Sequence, residues 1–414
     1  MRGSAVVDSI TFIGAGVAGV TAVDELRSNG FEGRITLISG EDRLPYDRPP
    51  LSKEVLLGAE PGGVPLRPES FYGDNRVELL MGHVVTDLDC STREVTSSAG
   101  HRRRSDVVVL ATGGSARRLR LPGADLDGIF VLRTHDDAAA LGERLMPGAR
   151  LVIIGGGFIG TEVAAAAVTR GAEVVLLEAA RAPLAAVLPE LAPLVVEHHR
   201  QRGVKIRTEV AVDAFTGSDR VTGVRLATGE VVPADVVVVG IGMRPNDELA
   251  AAAGLPTGDG IHVDRRFRTT APGVYAIGDV AAVGDDTSRR RSEHWSHAVD
   301  SGKLLARHLL GLDERPRAVP WFWSDQYHLN IQMVGAPNAA DERVWRGDRG
   351  SDQATVLFHR GGRLTGAVAL NRGRDIRPVS DLIAAGATLA VADLQAPDTD
   401  LRKLAKRTLQ AARH

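Results

Sequence analysis

Apolar residues along this chain fall into short runs, and several of those runs stop at a turn of small residues. Ser9-Ile10-Thr11-Phe12-Ile13 leads into Gly14-Ala15-Gly16-Val17-Ala18-Gly19, a helical stretch to Asn29-Gly30, and a second run, Arg34-Ile35-Thr36-Leu37-Ile38. The order returns with Leu151-Val152-Ile153-Ile154, then Gly155-Gly156-Gly157-Phe158-Ile159-Gly160, an Ala-rich helix to Arg170-Gly171, and Glu173-Val174-Val175-Leu176-Leu177-Glu178. Each copy reads as strand, glycine turn, helix, strand, with Gly30 suited to stop the first helix. Two more valine runs, Asp106 to Leu110 and Asp235 to Val239, feed Ala111-Thr112-Gly113-Gly114 and Gly240-Ile241-Gly242. Unbroken runs of this length predict parallel strands covered on both faces.

After Trp321 the pattern changes. Val356-Leu357-Phe358-His359 and Leu364-Thr365-Gly366-Ala367-Val368 flank Arg360-Gly361-Gly362-Arg363, which predicts an antiparallel hairpin on a glycine turn. A separate α+β C-terminal domain is expected, with Pro316 and Pro320 in the linker. Trp321-Phe322-Trp323 opens it. Three large aromatics in a row contradict strand alternation, so either a packing cluster or a functional platform is expected there.

Composition narrows the classes. A chain of 414 residues allows two to four domains, and 43% hydrophobic with 25% charged residues is a globular profile. Fifty basic against 52 acidic residues give a net charge of −2, which is neither a non-specific nucleic-acid binder nor an acidic tail. Cys90 is the only cysteine, which excludes an intrachain disulfide, a dithiol relay and cysteine-ligated metal or iron–sulfur centres. Its simplest role is packing. No apolar run reaches the 18 or so residues that span a bilayer, and the start of the chain lacks a secretory core, so a cytoplasmic protein is expected.

In a G-x-G-x-x-G turn the first glycine permits the bend, the second lets amides approach a pyrophosphate, and the third lets helix and strand pack closely. The helix start adds unpaired N–H groups and a positive dipole end. One copy would be weak, because such turns also serve as plain bends; two in the same context imply two dinucleotide sites. Glu178, at the end of its strand, should accept from a ribose diol and repel a 2′-phosphate, which favours NADH. Arg181 is the counter-evidence. At the first site Glu41 is the expected ribose acid, with Asp42 as the alternative. His198-His199 and the pair His294 and His297 lack the clustered carboxylates of a first metal shell, so no metal site is expected. The runs Arg102-Arg103-Arg104 and Arg289-Arg290-Arg291 are read as solvated loop charges.

Leu44-Pro45-Tyr46-Asp47-Arg48-Pro49-Pro50-Leu51-Ser52-Lys53 is more specific. With the two glycine turns, it makes the chain resemble NADH-dependent ferredoxin reductases of bacterial Rieske-type oxygenases and cytochromes P450, within the FAD-containing pyridine-nucleotide reductases. The resemblance covers nearly the whole chain: Thr269 to Asp279 looks like the family's second flavin motif, and Trp321-Phe322-Trp323-Ser324-Asp325-Gln326 like the start of its C-terminal domain. It implies an α/β, glutathione-reductase-like architecture with two Rossmann-like domains and a C-terminal α+β domain. The expected boundaries are FAD at 1–118 and 247–320, NAD at 119–246, and the reductase domain at 321–414.

The resemblance also implies roles. Asp279 would accept from the flavin's ribityl chain; otherwise it is a turn aspartate capping the next helix. Lys53 would lie near flavin N5, where a fixed cation stabilises the charge that reduction brings. Glu162 looks like the partner of that lysine; alone, it reads as an ordinary first-turn helix acid. Arg43, Arg48 and Arg133 look like flavin contacts, arginine suiting a pyrophosphate through its planar fork. Val85 and Trp295 match cofactor-lining positions, Ala111, Thr112, Gly113 and Gly242 are counted with the cofactor-binding turns, and Trp323 would stand beside nicotinamide and flavin. His297 stands where the family usually has asparagine, which puts local hydrogen bonding in doubt.

The activity implied is hydride transfer from NADH to FAD, then single electrons to a small iron–sulfur protein, a [2Fe–2S] ferredoxin. No nucleic acid or membrane is expected as partner, and a monomer or weak homodimer is expected. An NADH oxidase or disulfide reductase is the enzymatic alternative, although no cysteine lies between Glu41 and Leu57. A flavoprotein like apoptosis-inducing factor, acting through partners, is the non-enzymatic one.

Overall fold

The computed structural model describes residues 7–285, 287–312, 318–396 and 399–411. Pro316 lies outside them. The chain divides into two compact units: Met1–Asp47, Gly63–Ser115 and Met243–Ala318 form the first, and Arg48–Gly62, Ala116–Gly242 and Val319–His414 the second.

The first unit is built on a five-stranded parallel sheet ordered Val274–Ala276, Val107–Leu110, Ser9–Ile13, Arg34–Ile38, Val77–Leu80. Ser9 lies opposite Arg34, and Ile10 opposite Val107. Phe12, Leu37, Val108 and Leu110 are fully buried, as unbroken apolar runs require. Helix Val17–Ser28 packs on this sheet and against helix Trp295–Leu309. That contact is close because Gly302 faces the Ala18 carbonyl, where a side chain would collide. Cys90 is half-buried against the same core.

The arginine runs are more ordered than solvated loops. Arg102–Arg104 is a strand, with Arg102 paired to Glu94 and Arg103 to Glu78. Arg291, only 7% exposed, pairs with Asp259 at 2.9 Å and Glu293 at 2.6 Å.

The second unit holds an equivalent parallel sheet, ordered Ile129–Phe130, Val236–Val239, Arg150–Ile154, Glu173–Leu177, Lys205–Arg207. An antiparallel sheet follows, ordered Trp321–Gln326, Leu329–Gly335, Arg363–Leu370, Ala354–Arg360, Glu342–Gly347. Gly361 and Gly362, both at positive φ, close its central hairpin. One face packs on helices Ile376–Ala384 and Leu401–Ala411, the other on Leu184, Leu188 and Val195.

The aromatic run does alternate. Trp321 and Trp323 stack on one face of their strand, 4.9 Å apart and 15° from parallel, while Phe322 packs on Phe158 at 4.5 Å. The segment Arg48–Gly62 is held by Arg170, which donates to the carbonyls of Leu56 (2.7 Å), Gly142 (2.8 Å) and Leu145 (3.1 Å).

Candidate active site

Both glycine turns join a strand end to a helix start through close backbone packing. Gly14 has φ +110 and Gly155 φ +105, and a Cβ would collide with the carbonyl of Ala111 at the first and of Gly240 at the second. The neighbouring strand ends therefore demand glycine. At Gly16 and Gly157, by contrast, an added Cβ meets nothing within 4 Å. Each is the N-cap of a helix and makes no side-chain cap hydrogen bond. Gly19 and Gly160 pack directly on the Gly14 and Gly155 carbonyls. Ala15 is buried, and Phe158 and Ile159 open the second helix, Ile159 at 43% exposure.

In the first unit Glu41 is half-buried and accepts from Tyr46 Oη at 2.5 Å, whereas Asp42 is exposed. Arg43 is also exposed. Asp279 lies in the short 3₁₀ turn Gly278–Val280, beside the start of the first glycine helix: a Cβ on Gly278 would sit 2.9 Å from Ala18. Trp295 donates to Asp47 at 2.8 Å, and Val85 packs half-buried on the core. Thr112 is tied to Asn246, donating to its carbonyl at 2.7 Å and accepting from Asn246 Nδ2 at its own carbonyl at 2.9 Å. Asn246 thus fixes the Ala111–Gly113 turn, which no sequence signal showed.

In the second unit Glu178 accepts from Gly156 N at 2.6 Å and Ala180 N at 2.7 Å, directly against the glycine turn. Arg181 is 93% exposed, 3.9 Å from Glu209. Gly242 is at φ +90 with open space around it. Arg48 donates to the Arg133 carbonyl at 2.5 Å. His198 meets His328 and Asp352, with donor atoms within 4.8 Å. Arg202, which only donates, takes Nδ1 of both rings at 3.4 and 3.1 Å, and His328 Nε2 bonds Asp352 at 2.9 Å.

Lys53 and Glu162 form a buried ion pair. Proline-rich Pro49–Ser52 forms a 3₁₀ turn that ends on Lys53. Lys53 Nζ lies 3.1 Å from Glu162 Oε2 and 3.0 Å from the Pro49 carbonyl, at 11% and 4% exposure for the two side chains. Glu162 is in the second turn of its helix, so it is not a first-turn dipole acid. Ser52 and Ser324 donate to it, the latter at 2.6 Å. The Glu162 carboxyl stands above the ordinary carboxylate range, because burial pushes it up further than Lys53, Ser324 and Ser52 pull it down. An ammonium has three N–H donors, and these contacts use two.

No helix among the described residues is long and apolar enough to cross a membrane. A family model described as pyridine nucleotide-disulphide oxidoreductase matches residues 8–302, and one described as reductase C-terminal matches residues 321–405. The chain is 39% identical to rhodocoxin reductase of Rhodococcus erythropolis, over 95% of this chain and 92% of that one. It is 38% identical to the ferredoxin reductase component of chlorobenzene dioxygenase from a Cupriavidus species, over 96% and 97%. Its fold matches the crystal structure of the covalent putidaredoxin reductase–putidaredoxin complex with a TM-score of 0.92 and 33% identity, covering 97% of this chain and 99% of that chain.

Proposed function

Because the chain belongs to the pyridine nucleotide-disulphide oxidoreductase family and carries a reductase C-terminal domain, we propose that it is an FAD-dependent NADH:ferredoxin reductase. Its acceptor is a small [2Fe–2S] ferredoxin that feeds an oxygenase or a cytochrome P450. The relatives' names support that acceptor, and the observation that carries the chemistry is the buried Lys53–Glu162 pair. FAD supplies the switch from a two-electron donor to a one-electron acceptor.

The chain's own residues bind and orient. Gly16 and Gly157 admit the two pyrophosphates to helix amides, Asp279 and Glu41 hold the flavin's ribityl and ribose hydroxyls, and Arg43, Arg48 and Arg133 add positive charge. Glu178 holds the nicotinamide nucleotide's ribose and disfavours a 2′-phosphate, which selects NADH. Lys53 keeps a cation where reduction brings negative charge, and Glu162 keeps that cation in place. We assign FAD binding to 1–118 and 247–320, NAD binding to 119–246 and the acceptor side to 321–414. A cytoplasmic location is part of this proposal, since NADH is a donor found inside cells.

The disulfide-reductase alternative needs a reactive thiolate. Cys90 is half-buried, and burial, with Asp89 beside it, pushes its thiol up. The purified protein should be yellow with non-covalent FAD, be reduced anaerobically by NADH, and pass electrons to [2Fe–2S] ferredoxins faster than to O₂ or disulfides. Asp279→Ala should lose flavin on dilution. A colourless protein that takes up no FAD, or one that reduces only disulfides, refutes the proposal.

A further inference from the structure

A buried polar seam joins helix Phe158–Thr169, helix Ala192–Gln201 and strand Trp321–Gln326, and beyond Glu162 the function above gives it no role. Tyr327 Oη meets His199 Nδ1 at 3.1 Å, and His199 Nε2 meets Gln326 Oε1 at 2.8 Å. Gln326 Nε2 reaches Thr161 Oγ1 at 2.9 Å and Ser324 Oγ at 3.1 Å, and Ser324 Oγ reaches Glu162 Oε1 at 2.6 Å. Glu162, Thr161, Ser324, Gln326 and His199 are each exposed by 4% or less. So deep a set of polar atoms must be matched donor to acceptor.

With Glu162 ionised opposite the Lys53 ammonium, each donor of the seam finds an acceptor. An ionised carboxylate only accepts, so Ser324, Ser52 and Lys53 all donate to Glu162. Ser324 has one proton, already used, and therefore accepts from the Gln326 amide. The second amide proton goes to Thr161, whose own proton goes to the carbonyl of Gly157 or Phe158. The Gln326 carbonyl then faces His199 Nε2–H, and Nδ1 accepts from Tyr327. Burial pushes His199 down, which favours this neutral ring over one that donates from both nitrogens. An amide hands no net proton along, so the seam is no wire; from Tyr327 through His199, Gln326 and Ser324 it aligns its dipoles towards Glu162, with Thr161 on a side branch.

Tyr327 confirms that the far end is constrained. It lies at φ +56 in the turn between paired Gln326 and Leu329, a region that non-glycine residues enter rarely. Arg202 covers its ring at 4.4 Å. Lys53 is the charged group on Glu162; Asp325 faces away onto Asn330, and Arg202 and His198 act on His199.

We propose that Gln326 and Ser324 are positioning residues that keep Glu162 ionised, and through it keep Lys53 cationic and fixed for the flavin. The last link rests on the function proposed above; the link to Glu162 does not. Ser324→Ala removes the final donor, and Gln326→Glu, of equal size, turns the middle link into an acceptor that competes for Ser324's proton. The purified holoprotein is titrated by infrared difference spectroscopy, with Glu162→Gln assigning the carboxyl band, and flavin reduction by NADH is followed across pH by stopped flow.

In both variants the Glu162 midpoint should move up by about one to two pH units, and the acid limb of flavin reduction should move with it. Ser324→Thr, which keeps the hydroxyl, should stay near wild type. Unmoved carboxyl midpoints in flavin-replete Ser324→Ala and Gln326→Glu protein overturn the proposal. Should Ser324→Ala fail to fold, Gln326→Glu and Tyr327→Phe decide it alone, an unmoved midpoint in both being the refuting result. A moved carboxyl with unmoved flavin kinetics rejects the Lys53 reading and leaves the seam standing.

Discussion

Glu178 commits both carboxylate oxygens to backbone amides, one of them in the glycine turn itself. Its position was readable, because an acid ending the second strand after such a turn has few other uses. Glu178→Ser should lower the NADH over NADPH ratio of kcat/KM by about tenfold, the worth of one charge-assisted bond. A wild type that prefers NADPH would move the role to Arg181. Ser52, Ser324 and Gln326 were not readable as a group, since Glu162 lies 110 residues from Ser52 and 162 from Ser324. Asp341 was equally hidden. Thr365, Asn338 N and Arg360 donate to it and hold its carboxyl down to about 2. Stability from such a depressed group is complete above its unfolded value of about 4 and is lost as pH falls through the folded value. Asp341→Asn should therefore be less stable than wild type at neutral pH, with the gap closing between about pH 4 and about pH 2. Denaturant unfolding at stepped pH checks this, and a gap independent of pH refutes it.

At the scale of elements, runs of four or five apolar residues were enough to place both parallel sheets, because a strand buried on both faces has no polar phase to lose. The hairpin at Gly361-Gly362 was legible for the opposite reason: two positive-φ residues in a row suit glycine. The aromatic strand was misread, because alternation separates Trp321 and Trp323 from Phe322 only once both faces are known to be covered. The stack of Trp321 on Trp323 leaves two accounts open to experiment. Trp323→Ala should keep the fold and bound FAD, cost about 1 kcal/mol of stability from the lost ring contact, and slow either reduction by NADH or transfer to ferredoxin. Intact half-reactions in a merely less stable protein would make it a packing residue.

At the scale of the whole molecule, the order of glycine turns along the chain announces two nucleotide-binding sheets, yet not where the lysine segment lodges. Arg48–Gly62 leaves the first sheet's sequence neighbourhood and joins the second unit, through contacts that span more than a hundred residues. Arg170 is the fastening. It caps helix Phe158–Thr169 and grips Leu56, while Glu162 near the other end of that helix grips Ser52 and Lys53. Lysine loop and helix are therefore one cooperative unit for local unfolding. Their amides should exchange with deuterium at a common rate. Arg170→Met keeps the apolar stem and removes the guanidinium; it should speed exchange of the loop about tenfold or more while the helix stays protected. Equal exchange in both proteins would mean that the loop is held by its prolines alone.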